Sequence, residues 1–162
     1  MENIFTKHNV SDSEYQMQLY IYNLNKLNVL KPILNVPEPI SYDKTTKIFK
    51  MKKINGMSLS DYYGEKSTNI GSGTFKSIRE IIKTLYDVGI IYPDITGYNF
   101  IAEYDDKNEI TEKLWIIDFE HARFYDLNDS NDLNDLNDLN NSNDEYVKNF
   151  IDGLDSYNLE FA

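Results

Sequence analysis

The chain has 162 residues, enough for one domain with one core, and combines 41% hydrophobic and 27% charged positions with no cysteine and a formal net charge of −11. That charge argues against nucleic acid and anionic membrane as partners, because their phosphates repel it; the absence of cysteine excludes disulfides and thiolate metal sites and suits a reducing cytoplasm. No apolar run approaches the roughly 18 residues of a membrane span, and Met1-Glu2-Asn3 places an acid where a secretory signal carries its basic region.

Ile4–Lys7 reads as a short strand. Ser11-Asp12-Ser13-Glu14 has the S-x-x-E spacing of a capping box, so a helix is expected from about Asp12. Met17, Tyr20, Ile21, Leu24 and Leu27 form its apolar stripe down to Asn28–Leu30, where Pro32 stops it. Pro37 and Pro39 mark a connection. Ile40–Tyr42 and Lys47–Ile54 are expected to pair antiparallel about a turn at Asp43–Thr46, with Ile48, Lys50 and Lys52 on one face and Phe49, Met51 and Lys53 on the other. Gly56-Met57-Ser58-Leu59 leads into a short helix. After a polar loop, Ser72 or Thr74 is expected to cap a helix with Phe75, Ile78, Ile81, Ile82, Leu85 and Tyr86 on one face, closed by Gly89. Phe100–Glu103 and Lys113–Asp118 read as a hairpin around the charged loop Asp105–Glu112.

Beyond Arg123 the character changes. Asp126, Asp129, Asp132, Asp135, Asp138, Asp144 and Glu145 occur with no Lys or Arg among them, so the body of the chain is only mildly acidic. Residues 126–144 step in Asn-Asp triplets too polar for a packed core and read as a flexible linker. The run lacks the glycine and closing glutamate of an EF-hand loop. Ser142-x-x-Glu145 is a second capping box, for a helix over 145–162 with Tyr146, Val147, Phe150, Ile151 and Leu154 on its apolar face. That face docks on the same molecule or, across the linker, on another copy as a homodimer.

The chemistry concentrates in two places. Asp94 and Asn99 stand five residues apart in Tyr92-Pro93-Asp94-Ile95-Thr96-Gly97-Tyr98-Asn99, and Ile116-Ile117-Asp118-Phe119-Glu120 carries an acid at the end of an apolar strand. Turn chemistry alone accounts for an Asp after Pro in a Gly-containing loop. Together, however, the three residues suit phosphoryl transfer: one Asp to accept or orient a substrate hydroxyl, and an Asn and an Asp to give oxygens to Mg2+ on nucleotide phosphates.

Asp94-Ile-Thr-Gly-Tyr-Asn99 resembles the catalytic loop of the protein-kinase-like superfamily, and Asp118-Phe119-Glu120 resembles its D-F-G motif in the D-F-E form of small-molecule kinases. The nearest comparisons are RIO-type and tRNA-modification-associated kinases and the choline and aminoglycoside phosphotransferases. The resemblance implies an α+β, minimal protein-kinase-like fold over 1–125. Its N-lobe sheet (1–54) is reduced and lacks the glycine-rich loop, and its helical C-lobe (55–125) is shortened. Asp94 would be the catalytic base, Asn99 and Asp118 the Mg2+ ligands, Lys7 the phosphate contact and Glu14 its helix partner, with Gln18 the competing position. Adenine would lie near residues 51–55, at Met51 and Lys53. ATP and Mg2+ are the implied cofactors, and the acceptor is a hydroxyl of a protein or small molecule. The alternative is a pseudokinase or interaction module that keeps the fold with weak or no catalysis.

Blander readings stand beside these. Glu14 is explained by capping alone, and Gly71-Ser72-Gly73-Thr74, which resembles part of a phosphate loop, sits where a turn and cap are expected. Tyr92 occupies the family's usual His position and is expected not to make the same bridging hydrogen bonds. His8 and His121 are too isolated for a metal cluster.

Overall fold

Alternation along Ile48–Lys52 sets the first sheet. In a computed structural model of the chain, which describes residues 3–64, 70–125 and 140–153, this strand (β3) lies between β1 (Ile4–Lys7) and β2 (Pro39–Asp43), antiparallel to both. Phe49 and Met51 are buried while Lys50 and Lys52 are exposed, as a period of two requires. Lys7 pairs with Phe49 and Phe5 with Met51, so Lys7 shares the inward face of the sheet. Asp43 holds the β2–β3 turn: its Oδ1 accepts from Thr45 N at 2.9 Å and Thr46 N at 3.2 Å. Thr46, with help from Thr45, keeps that carboxyl below its ordinary range.

Helix α1 (Asp12–Lys26) begins as the capping pattern predicts, with Ser11 Oγ accepting from Glu14 N at 3.1 Å. Its apolar stripe stops earlier than expected. Asn28 takes left-handed backbone (φ 54°), and Asn25 is engaged by the following loop, bonding both Leu34 O (2.7 Å) and Leu34 N (3.0 Å). Met17 and Ile21 are buried, but Tyr20 and Leu27 remain exposed.

The second sheet runs β4 (Gly56–Ser58), β6 (Phe100–Tyr104), β7 (Ile110–Ile116). Glycine is required at Gly56, because a Cβ there would lie 2.3 Å from Ala102 O. Helix α2 (Leu59–Tyr63) follows at once, capped by Ser58 Oγ accepting from Asp61 N. The β6–β7 hairpin is tighter than expected: Asp105 Oδ1 accepts from Lys107 N and Glu109 N, and β7 starts at Ile110.

Helix α3 (Ser72–Asp87) buries Ile78, Ile81, Ile82 and Leu85 on the anticipated face. Its cap is not the anticipated one. Gly71 is the N-cap, with its carbonyl accepting from Thr74 N and Phe75 N; Ser72 already lies in the helix, and no side chain caps it. Gly89 (φ 83°) closes the other end through a bond to Tyr86 O. The chain then forms β5 (Ile90–Ile91), which pairs with β8 (Arg123–Phe124) in a two-stranded ribbon.

Helix α4 (Asn140–Asp152) begins before Ser142, which therefore falls within its first turn rather than at a cap. Val147 and Phe150 are fully buried in the main core beside α3, and Arg79 Nε donates to Phe150 O at 2.8 Å. Most of the expected linker, Leu154 and the end of the expected C-terminal helix lie outside the described residues. The architecture is mixed α/β, with small antiparallel sheets and four helices among the described residues. Within them no helix is long and apolar enough to cross a membrane.

Candidate active site

Asp118 lies just past the end of β7, with left-handed backbone (φ 60°), a conformation that costs a non-glycine residue roughly 1–2 kcal/mol. Its Oδ1 lies 3.0 Å from Lys7 Nζ. The same ammonium donates to Glu14 Oε1 at 2.6 Å. Glu14 thus makes only half of a capping box: its backbone N–H is capped by Ser11, and its carboxylate turns to Lys7. Three separate elements, β1, α1 and the segment after β7, meet at one lysine.

The charges of Lys7 and Glu14 act on one another. Burial would lower the Lys7 pKa, but the bonds to Glu14 and Asp118 outweigh it and hold the ammonium above its ordinary value. Glu14 is 3% exposed, and its burial outweighs the attraction of Lys7, so its carboxyl is pushed up. Glu120 joins the group, since carboxylate oxygens of Glu14, Asp118 and Glu120 lie within 4.8 Å of one another. Sequence reasoning gave Glu120 no role, although the D-F-E triplet already marked an acid there.

A second cluster forms where a 3-10 turn (Gly97–Asn99) returns the chain to Asp94. Asn99 Nδ2 donates to Asp94 O at 2.9 Å and to Asp94 Oδ2 at 2.8 Å. With its nitrogen committed to Asp94, the buried Asn99 amide keeps its oxygen as an acceptor.

Two hydrogen bonds join the clusters. Ile117 N donates to Asn99 O at 3.1 Å, and the Tyr92 hydroxyl donates to Ile117 O at 2.7 Å. Tyr92 thus makes a bridging bond of its own: it is buried against Phe119 and Phe100, close enough to reach the strand end. Burial first, and then the nearby Asp94 and Asp118 charges, push its hydroxyl far above the ordinary range, so it stays protonated as a donor.

Other expected residues lie apart. Met51 is packed with Val10 and Phe49, and Lys53 is exposed just past β3; among the described residues neither bonds to Lys7, Glu14 or Asp118. Gln18 is buried and donates to Pro37 O (3.0 Å) and Met51 Sδ (3.6 Å), so Glu14 is the α1 residue that meets Lys7. His8 and His121 are exposed. Gly71, Gly73 and Thr74 line part of a cavity of about 240 Å3 with Tyr63 and Leu114, which shares no residue with either cluster.

Asp118 carries carboxylate oxygens and Asn99 an amide oxygen, ligand types that Mg2+ takes. No protein-family model matches the chain, and no curated protein matches it. Among solved structures it is similar to the kinase PK-1 of Cydia pomonella granulovirus, at 16% identity and a TM-score of 0.48, over 75% of this chain and 43% of that one. The chain thus spans less than half the length of that kinase.

Proposed function

We propose that this chain is a kinase-like phosphotransferase that moves a phosphoryl group from ATP, with Mg2+, to a hydroxyl of a protein or small molecule. The observation that carries the reading is the Lys7 ammonium held between Glu14 and Asp118, whose neighbour Ile117 donates its N–H to Asn99 O in the loop where Asn99 grips Asp94. A structural ion pair needs neither a second carboxylate on the same lysine nor left-handed backbone at Asp118.

In this reading Lys7 contacts the nucleotide phosphates and Glu14 holds it in place. Asp94 accepts or orients the acceptor hydroxyl, its position set by the two bonds from Asn99. Asn99 and Asp118 would hold Mg2+, which supplies charge neutralisation at the phosphates. Adenine is proposed to lie near residues 51–55, at the end of β3. Positioning supplies most of the catalysis in such chemistry, which is why the bonds joining the two clusters matter.

A second reading, a pseudokinase with weak nucleotide binding, is favoured by one observation: Glu14 and Asp118 pair with a single lysine while Glu120 lies beside them, an excess of negative charge that repels phosphate. Mg2+-dependence separates the two. ATP with Mg2+ should raise the melting temperature of the wild type, ATP alone should do little, and Asp118→Ala should remove the shift; a ligand at 100 times its Kd adds about 2.7 kcal/mol of stability. No shift under any condition sinks the enzyme reading.

A further inference from the structure

The β5–β8 ribbon carries both clusters. Ile91 pairs with Arg123, and the chain leaves Ile91 directly into Tyr92-Pro93-Asp94, while it reaches Arg123 shortly after Asp118. Tyr125 extends the ribbon, its N–H donating to Gly89 O at 2.9 Å and its hydroxyl to Tyr86 O at 2.8 Å. A shift of β8 against β5 would act on the segments that lead into Asp94 and away from Asp118.

From the far side, Arg123 Nη2 forms an ion pair with Asp144 Oδ1 of α4. The helix does not need this pair for docking, since Val147 and Phe150 are fully buried and Arg79 bonds Phe150 O. Burial raises the Asp144 carboxyl despite the Arg123 guanidinium beside it. What a directional bond of this kind supplies is a fixed position.

We infer that Arg123 and Asp144 are a positioning pair that fastens the β5–β8 ribbon to α4 and so sets the spacing between the loops bearing Asp94 and Asp118. The consequence for turnover rests on the phosphotransferase reading; the consequence for the ribbon does not.

The test compares full-length wild type with Arg123→Ala, Asp144→Ala and the exchanged double variant R123D/D144R. Hydrogen exchange at the Tyr125 amide reports on the ribbon, and kcat and KM for ATP turnover with Mg2+ report on the site. Each single variant should speed exchange and lower kcat by about 2- to 30-fold, the usual range for coupling through a network, with KM for ATP nearly unchanged and α4 still docked. The exchanged pair should recover both. Unchanged exchange in the single variants, or no recovery in the double variant, overturns the pair. A wild type without ATP turnover overturns the phosphotransferase reading instead, and exchange alone then decides the pair.

Discussion

The Tyr92 hydroxyl donates to the Ile117 carbonyl at 2.7 Å, tying the segment that leads into Asp94 to the residue before Asp118. Tyr92→Phe deletes the donor and leaves a half-buried carbonyl without it, at about 1 kcal/mol. In a domain of this size each kcal/mol lowers the melting temperature by roughly 2–4 °C. The variant should melt correspondingly lower and show a smaller shift with Mg2+ and ATP. A variant that melts and binds like wild type would remove the bond from any role in joining the clusters.

Ser11 and Glu14 both act at the start of α1, but differently. Ser11→Ala removes the cap and should lower stability by about 1 kcal/mol while leaving the Mg2+-dependent ATP shift in place. Glu14→Gln keeps the backbone cap but removes the charge that holds Lys7, so it should weaken the ATP shift more than Ser11→Ala does. Melting curves with and without ligand separate the two, and equal loss of the shift in both would return Glu14 to a capping role.

Asp94→Asn preserves an acceptor for Asn99 Nδ2, so the loop should keep its shape. The base is gone, and turnover should fall about 10²- to 10⁴-fold with the ATP-induced shift nearly intact. Single-turnover assays beside thermal shifts check this, and wild-type turnover in Asp94→Asn removes Asp94 from that role.

Lys7 gives a pH signature of defined sign. In the unfolded chain it loses its proton near pH 10.5, whereas Glu14 and Asp118 hold that proton to higher pH in the fold. The tighter hold stabilises the folded state fully below pH 10.5, and the benefit disappears as pH rises through the folded value. The melting difference between wild type and Lys7→Met should therefore be flat from pH 7 to about pH 10 and shrink above it. A difference that stays constant into strong alkali contradicts the ion pairs.

Much of the fold was legible because its elements follow simple periods. Phe49 and Met51 alternate with Lys50 and Lys52, and Ile78, Ile81, Ile82 and Leu85 repeat at helical spacing. The α3 cap was not legible, because Gly71 provides it through a carbonyl that every residue owns. Nor was the start of α4, whose Asn-rich first turn has no apolar period. At the site, Asp94, Asn99 and Asp118 stood out by residue type and spacing, yet only β1 lying beside α1 shows which way the Glu14 carboxylate turns. The Tyr92 bond depends on how deeply the ring is buried, and the Arg123–Asp144 pair spans two segments that no local pattern connects.

Lys7 rides on a strand of four residues that, among those described, pairs only with β3. Edges of a sheet fray at far lower free energy than its core unfolds. Opening a few bonds of β1 would withdraw the ammonium from Glu14 and Asp118 while the main core around Ile82, Leu85 and Phe100 stays packed. Assembly at Lys7 should therefore give way at a lower free energy than the fold itself, and the amides of β1 should exchange faster than those of α3.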